Sequence, residues 1–186
     1  MKWILVAGCG HTGTTITAKI IGLNSCVYGF EKETNFLRLR RLHRVKQIKK
    51  AFSVKARARG KEFICEKTPK HIERIDFARR ILPGPLFVLC TRNPYDAIAS
   101  LAARESTRMN NEVIKIGFKR YLDDNLALVE QMQQSDVLVH RYEDFVRDPQ
   151  SSIRSICAHV KMDFEERLLK PDEVSTRWFQ QTGKKN

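Results

Sequence analysis

The residues with the clearest chemistry form one loop, GCGHTGTT at positions 8–15, which directly follows an apolar run. Glycines let the backbone turn tightly and aim several N–H groups at one anion, and a helix that begins after the loop adds the positive end of its dipole. The spacing fits the phosphate-binding pattern GxxxxGK[ST] at every position except one, because Thr14 stands where lysine is expected. The loop therefore predicts a site for a phosphate group that lacks the lysine of nucleoside triphosphatases.

A second charged group, Arg92, ends another apolar run at residues 86–91. Its guanidinium is always charged, offers a planar fork of donors to a phosphate, and is costly to hold at a strand end without an anion. The same run ends without an acidic residue that could hold Mg²⁺, as the aspartate of a kinase would. Arg92 therefore predicts a second anion contact, and the alternative is a structural ion pair with Asp96 or another carboxylate.

Apolar runs that alternate with helical patterns must position these groups. The patterns predict strands at residues 2–7, 26–30, 62–66, 86–91 and 137–139. They predict helices at 14–22, across the basic region that follows, at 69–81, from 93–94, at 117–134 and from 148–149. Such alternation indicates a three-layer α/β fold, a parallel sheet with helices on both faces, in a single domain that spans 1–186. Ligands bind beyond the carboxyl ends of such strands, where the loop and Arg92 both lie.

The charge of the chain is strongly positive, at +13, and it is concentrated in one segment. Between Arg38 and Lys61 there are eleven Lys or Arg residues and no acid. Apolar residues recur there at helical spacing, which predicts a basic helical segment at 31–61 with one buried face. Its partner could be nucleic acid, an anionic lipid surface or an anionic substrate, or the basic face could simply be solvated.

The cysteines and the hydropathy pattern bear on where the protein acts. The five cysteines are odd in number and have no metal-like spacing, as is typical of reduced thiols in a cytoplasmic protein. No stretch approaches the roughly 20 apolar residues of a membrane helix. The short apolar run at the start lacks the features of a secretory signal. We therefore expect a cytoplasmic protein with no membrane span.

Four segments together resemble those of sulfotransferases that use 3′-phosphoadenosine 5′-phosphosulfate (PAPS). HTGTT at 11–15 resembles the family's 5′-phosphosulfate loop, [KR]-[ST]-G-T-T, and TRNPYDAIAS at 91–100 resembles its 3′-phosphate motif. EKTP at 66–69 resembles a segment of the heparan-type and related bacterial members, and YEDF at 142–145 resembles a late element of the family. The matches occur in family order. They imply the P-loop-like sulfotransferase fold and metal-independent transfer of a sulfuryl group from PAPS to a hydroxyl or amine.

The resemblance also implies how the donor is held. The loop would bind the 5′-phosphate and the sulfuryl group, Arg92 and Ser100 would bind the 3′-phosphate, and Tyr142 would contact the adenine. Packing in the core is the alternative for Tyr142. The residues expected to bind the donor, and its product adenosine 3′,5′-bisphosphate (PAP), are Gly10, His11, Thr12, Gly13, Thr14, Thr15, Arg92, Ser100 and Tyr142.

Catalytic roles follow from the same resemblance. Glu66 is the expected general base, which takes the proton of a hydroxyl acceptor; otherwise it forms a salt bridge with Lys67 or the basic segment. His71 is the alternative base or, with Lys70, a substrate contact. His11 stands where the family has lysine or arginine. It can donate a hydrogen bond, but its charge is conditional because its reference pKa is about 6.5. Lys67 or Lys70 could supply a permanent charge; otherwise His11 only caps the loop and the protein does not turn over.

Two family features are absent from the sequence. Ile16 follows the loop where many cytosolic members have a tryptophan that stacks on the base. The late glycine-rich basic element of the 3′-phosphate site is not evident in the short C-terminal segment, 163–186. These departures concern how the adenine is held and how the acceptor pocket is completed.

Two other functions remain as alternatives. One is a small-molecule or nucleotide kinase with a degenerate P-loop, against which the missing lysine weighs. The other is a non-catalytic basic module that binds nucleotide or nucleic acid, although the sequence has none of the motifs that read DNA or RNA. The expected partner is a small-molecule or glycan acceptor. The basic segment, on the acceptor side, would favour an anionic one.

Overall fold

The computed structural model describes residues 1–30, 32–104 and 111–171. At its centre lies a sheet of five parallel strands in the order β2-β3-β1-β4-β5. The strands are β1 (Lys2–Gly8), β2 (Val27–Gly29), β3 (Phe63–Lys67), β4 (Leu86–Thr91) and β5 (Val137–Arg141). Every predicted strand is present, and the predicted α/β fold with a parallel sheet is confirmed.

Helices connect the strands and cover both faces of the sheet. The helices are α1 (Thr14–Leu23), α2 (Leu42–Arg57), α3 (Ile75–Ile81), α4 (Pro94–Arg104), α5 (Asn111–Gln131), α6 (Tyr142–Arg147) and α7 (Pro149–Val160). Short 3₁₀ helices span Phe36–Arg38, Pro69–Arg74 and Glu166–Leu169. The helix predicted at 69–81 is therefore a 3₁₀ helix followed by α3. Asp148 caps α7 by accepting a hydrogen bond from the Ser151 N–H, at 2.9 Å.

Helix α5 begins earlier than the sequence pattern predicts, at Asn111 rather than at Gly117. Glycine disfavours a helix interior, which is why the prediction started there. In the structure, a Cβ on Gly117 would lie 3.0 Å from Cγ2 of Ile98 on α4. The glycine is therefore inside the helix because α4 and α5 pack too closely for a side chain at that point.

The central strand β1 separates two apolar clusters. Successive strand residues point to opposite faces, so Trp3 and Leu5 pack on one side while Ile4 and Val6 pack on the other. All four side chains are fully buried. Burial on both faces accounts for the uninterrupted apolar run, which is typical of a parallel sheet covered by helices.

The basic segment packs on the sheet through the apolar stripe of α2. Val45 and Ala56 are buried, and Ile48 and Phe52 pack against the same cluster. Most of the basic side chains of the segment are exposed. Among the helices of the described residues, none combines the length and the hydropathy that crossing a bilayer requires.

The strand register brings the predicted site segments to one edge of the sheet. Val6 pairs with Lys67 of β3, and Gly8 pairs with Cys90 of β4. The loop after β1 therefore lies between the ends of the two strands that carry the EKTP segment and Arg92.

Candidate active site

The loop at 8–15 is closed by contacts within itself and with β4. The Thr12 hydroxyl is fully buried and lies 2.6 Å from the carbonyl oxygen of Cys9 and 3.1 Å from that of Cys90. Thr12 therefore holds the loop together through its side chain, and only its backbone remains for a ligand. The Thr17 hydroxyl donates to the Gly13 carbonyl at 3.0 Å and fixes the start of α1.

Two glycines of the loop are required by sterics. Gly8 has φ 132°, and a Cβ there would lie 2.2 Å from the Cys90 carbonyl oxygen. Gly13 has φ 90°, and a Cβ there would lie 2.6 Å from Cδ2 of Tyr142. Both positions combine a backbone conformation that favours glycine with a close neighbour. His11 adopts a left-handed conformation as well, with φ 68°.

Two cavities border the loop. The first, which we call the Arg92 cavity, has a volume of about 390 Å³. The second, the Arg120 cavity, has a volume of about 490 Å³. Both are lined by His11, Thr14 and Thr15. Groups bound in the two cavities would therefore meet at these three loop residues.

The Arg92 cavity brings together seven of the nine residues that the sequence assigned to the donor; Gly10 lines the Arg120 cavity instead, and Thr12 lines neither. Arg92, Ser100 and Tyr142 all line the Arg92 cavity, together with loop residues. The Arg92 guanidinium lies 4.4 Å from the centre of the Tyr142 ring, and its Nη1 donates to the His11 carbonyl at 3.3 Å. The Ser100 hydroxyl lies 3.2 Å from Nδ1 of His11. Residues from β4, α4 and α6 thus converge on one side of the loop.

The surroundings of Arg92 do not supply the ion pair that the sequence left open. Within the described ranges, Arg92 has no carboxylate partner, and its buried Nε has no hydrogen-bond partner. Its backbone carbonyl is held at 2.6 Å by the hydroxyl of Tyr121 on α5. The guanidinium is therefore positioned but not neutralised, as an anion-binding group requires.

Glu66 and His71 lie away from both cavities. Both side chains are fully buried, and Nδ1 of His71 is 2.9 Å from Oε2 of Glu66. Oε1 of Glu66 accepts from the hydroxyls of Thr34 and Thr68, each at 2.7 Å, and from the Thr34 N–H at 3.2 Å. Burial alone would raise the pKa of Glu66, but the contacts with His71, Thr34 and Thr68 outweigh it and hold the pKa below its usual value. Neither Glu66 nor His71 lines either cavity, and the Glu66 carboxylate is fully engaged, which weighs against Glu66 as the base and His71 as a substrate contact; both roles stay predictions.

Lys67 and Lys70 both have carboxylate partners. The Lys67 side chain is 4% exposed, and its Nζ is 2.7 Å from Oε1 of Glu33. Lys70 lines the Arg120 cavity and binds Asp124 and Glu73, each at 2.8 Å. Burial would lower the pKa of Lys70, but these two carboxylates outweigh it and raise the pKa.

Sequence reasoning missed the carboxylate that lines the Arg120 cavity, Glu33. Glu33 follows β2, and β2 pairs in parallel with β3. Because carboxyl ends of parallel strands meet at the same edge, the short strand at 26–30 was a usable signal for a site residue after it. Arg38 and Arg120, which line the same cavity, lie on helices and carried no comparable signal.

Comparison of the structure with solved structures finds sulfotransferases. The sulfotransferase domain of the Synechococcus PCC 7002 olefin synthase matches with a TM-score of 0.77 and 16% identity, over 97% of this chain and 82% of that one. The sulfotransferase domain from the curacin biosynthetic pathway matches with a TM-score of 0.73 and 15% identity, over 92% and 78%. A mouse sulfotransferase complexed with PAP matches with a TM-score of 0.63 and 16% identity, over 92% and 62%. The predicted sulfotransferase fold is confirmed.

Comparison of the sequence with known families shows the family to which the chain belongs. No curated protein matches it. A sequence profile described as the sulfotransferase family matches residues 37–166, more than half of the chain. The enzyme class predicted from the four segments is confirmed, and the chain belongs to the sulfotransferase family.

Proposed function

We propose that the protein transfers a sulfuryl group from PAPS to a hydroxyl or amine acceptor and releases PAP. The observation that carries this proposal is that two cavities share His11, Thr14 and Thr15 of the loop. A donor in one cavity and an acceptor in the other would meet there, which is the alignment that in-line transfer needs.

In this proposal the Arg92 cavity holds the donor. The backbone N–H groups of the loop and the start of α1 bind the 5′ end, because a helix N-terminus and a glycine loop favour anions. Arg92 and Ser100 bind the 3′-phosphate. The Tyr142 ring, already stacked with the Arg92 guanidinium, offers an apolar face to the adenine.

The base in this proposal is Glu33. Glu33 takes the proton of the acceptor hydroxyl while the acceptor oxygen forms its bond to sulfur, and the bond from sulfur to the bridging oxygen breaks so that PAP leaves with that electron pair. Three observations support Glu33: it lines the Arg120 cavity, its side chain is 42% exposed, and Lys67 orients its carboxylate at 2.7 Å.

Glu66 then positions the base without touching the acceptor. Its carboxylate accepts hydrogen bonds from the N–H and the hydroxyl of Thr34, the residue after Glu33. The Thr68 hydroxyl oxygen accepts a further hydrogen bond from the Asn35 N–H, at 3.2 Å. The loop that carries Glu33 is thereby tied to β3 at two successive residues. This preserves a role for the EKTP segment in catalysis, acting through the loop.

The acceptor in this proposal is polar and carries an anionic group. Most residues that line the Arg120 cavity are polar, and Arg38 and Arg120 bring permanent positive charge to it. A small anionic molecule or an anionic glycan fits these charges.

Two further parts of the proposal concern conditions. Transfer proceeds without metal, so EDTA leaves the rate unchanged. The protein acts in the cytoplasm, a location that suits its five cysteines, which are all free and mostly buried.

Calorimetry and thermal unfolding with PAP and with ATP·Mg²⁺, at fixed low salt, test the proposed function. A ligand that binds only the folded state raises the free energy of unfolding by about 2.7 kcal/mol at a hundredfold excess over Kd. We expect stabilisation by PAP that does not depend on Mg²⁺. A response to ATP·Mg²⁺ alone would favour a kinase. If neither ligand stabilises the protein and it binds RNA in a salt-sensitive way, a non-catalytic basic module is favoured.

A further inference from the structure

The loop of this protein has no permanently charged cation to stabilise the negative charge that develops during transfer. Negative charge develops on the bridging oxygen as sulfur leaves it, and a fixed cation in a partly dry site is the strongest way to stabilise that charge. His11 occupies the loop position and is cationic only when protonated. The two lysines of the EKTP region are each bound to carboxylates, Lys67 to Glu33 and Lys70 to Asp124. Their charges are therefore largely offset.

Arg120 lies beside the loop and, like Arg92 and Arg38, has no carboxylate partner within the part of the chain that the structure describes. Its Nη2 lies 3.3 Å from the position that a Cβ on Gly10 would occupy. Its Nε is buried and has no hydrogen-bond partner among the described residues. The guanidinium lines the Arg120 cavity, where the loop residues shared by both cavities also lie.

Rigid packing holds Arg120 in this place. One turn before it, Gly117 lets α5 approach α4 to within contact of Ile98. The next residue, Tyr121, donates to the Arg92 carbonyl at 2.6 Å and so ties α5 to the end of β4. The backbone that carries Arg120 is therefore held in place before an anion binds, although the arginine side chain keeps its own rotamer freedom.

We propose that Arg120 binds the oxygens of the sulfuryl group and brings a permanent positive charge to the transferring group itself, whereas the bridging oxygen is left to His11. The proposal rests on the sulfotransferase function proposed above. The sulfuryl group must lie where donor and acceptor meet, and Arg120 reaches that point from the acceptor side, across Gly10. A side chain at Gly10 would push the guanidinium aside by a few tenths of an ångström.

Binding of PAPS and of PAP, measured by calorimetry without Mg²⁺, isolates this contact because the two ligands differ only in the sulfuryl group. Arg120→Met removes the charge and keeps much of the side chain's length. We expect it to weaken PAPS binding by about 10- to 100-fold, the range for a charge-assisted hydrogen bond, and to change PAP binding by less than about threefold. Arg120→Lys retains a charge and should recover part of the loss.

Lys119→Met is the matched control, since it removes an exposed charge from the adjacent position of the same helix. It should change neither affinity, and the unfolding midpoint of each variant shows that it is folded. If Arg120→Met loses equal affinity for PAPS and PAP, or loses affinity for neither, the proposed role of Arg120 is wrong while the proposed function still stands. If the unmodified protein binds neither ligand, the proposed function fails and the role of Arg120 fails with it.

Discussion

Replacing Glu66 with glutamine separates a structural role of this residue from a catalytic one. The carboxylate accepts hydrogen bonds from Thr34 N–H, Thr34 Oγ1 and Thr68 Oγ1, and it pairs with His71. A hydrogen bond to a charged group contributes about 1.5–3 kcal/mol and a neutral one about 0.5–1.5 kcal/mol, so neutralisation costs about 1 kcal/mol for each contact. Loss of the charge at four contacts therefore lowers the free energy of unfolding by about 4 kcal/mol, in line with breaking other buried ion pairs.

Urea unfolding gives the stability of Glu66→Gln, and PAP release from PAPS gives its turnover per folded molecule. We expect large destabilisation and a modest loss of turnover, because Thr34 and the Glu33 loop are held less firmly. Glu33→Gln is the matched control. It should cost about 1 kcal/mol or less, since Glu33 is 42% exposed and the amide oxygen still accepts from Lys67, yet it should abolish most turnover.

The opposite pattern would refute the assignment. A Glu66→Gln variant that loses less than about 1 kcal/mol of stability while turnover falls a hundredfold would make Glu66 the base. Undiminished turnover in Glu33→Gln would likewise remove Glu33 from the chemistry.

Three other predictions concern the donor site, the loop and the pH dependence of stability. Arg92→Met should weaken binding of PAP by about 10- to 100-fold, but that of adenosine 5′-phosphosulfate, which lacks the 3′-phosphate, by less than about threefold; equal losses in calorimetry would exclude Arg92 from the 3′-phosphate site. Gly13→Ala should lower the unfolding free energy by about 1–3 kcal/mol and weaken PAP binding, because its Cβ would lie 2.6 Å from Tyr142 at φ 90°; urea unfolding unchanged from the parent protein would contradict this. Burial lowers the pKa of His140 to about 4. Below about pH 6.5 the unfolded chain therefore binds a proton at His140 that the folded chain does not bind until the pH is near 4. The free energy of unfolding falls as a result by about 2 kcal/mol from pH 6.5 to 4.5. His140→Leu should remove that part of the slope in urea unfolding at the two pH values, and an unchanged slope would show that His140 is not responsible.

The donor side of the site could be predicted from the sequence because its residues belong to local motifs. The glycines of the loop are needed for steric reasons at fixed distances along the chain from β1. Arg92 directly follows β4, and Ser100 lies two helical turns further on, in α4. The acceptor side depends on which distant elements pack together. Arg120 lies more than a hundred residues after Gly10 and meets it because α5 packs against β1, which leads into the loop. No pattern within either segment encodes that contact.

The burial of Glu66 could have been predicted from the sequence, although the motif suggested a catalytic base instead. Strand residues alternate between faces, and Glu66 shares its face of β3 with Ile64, which packs with Trp3 and Leu5. A carboxylate on that face points into a packed layer, so it must be paired. The motif marked the segment as a candidate for function, but it does not distinguish a residue that contacts the acceptor from one that holds its neighbour.

His11 connects the two halves of the proposed site through Ser100. The Ser100 hydroxyl has one hydrogen, and when that hydrogen is donated to the 3′-phosphate, the oxygen can only accept from Nδ1 of His11, 3.2 Å away. Nδ1 must then carry the hydrogen, so a neutral His11 has none on Nε2 to give to the leaving oxygen. Donor binding thereby fixes a tautomer in which His11 can assist departure only when protonated. With a histidine at this loop position, a permanent positive charge at the transferring group has to come from another element, which is the role proposed above for Arg120 on α5.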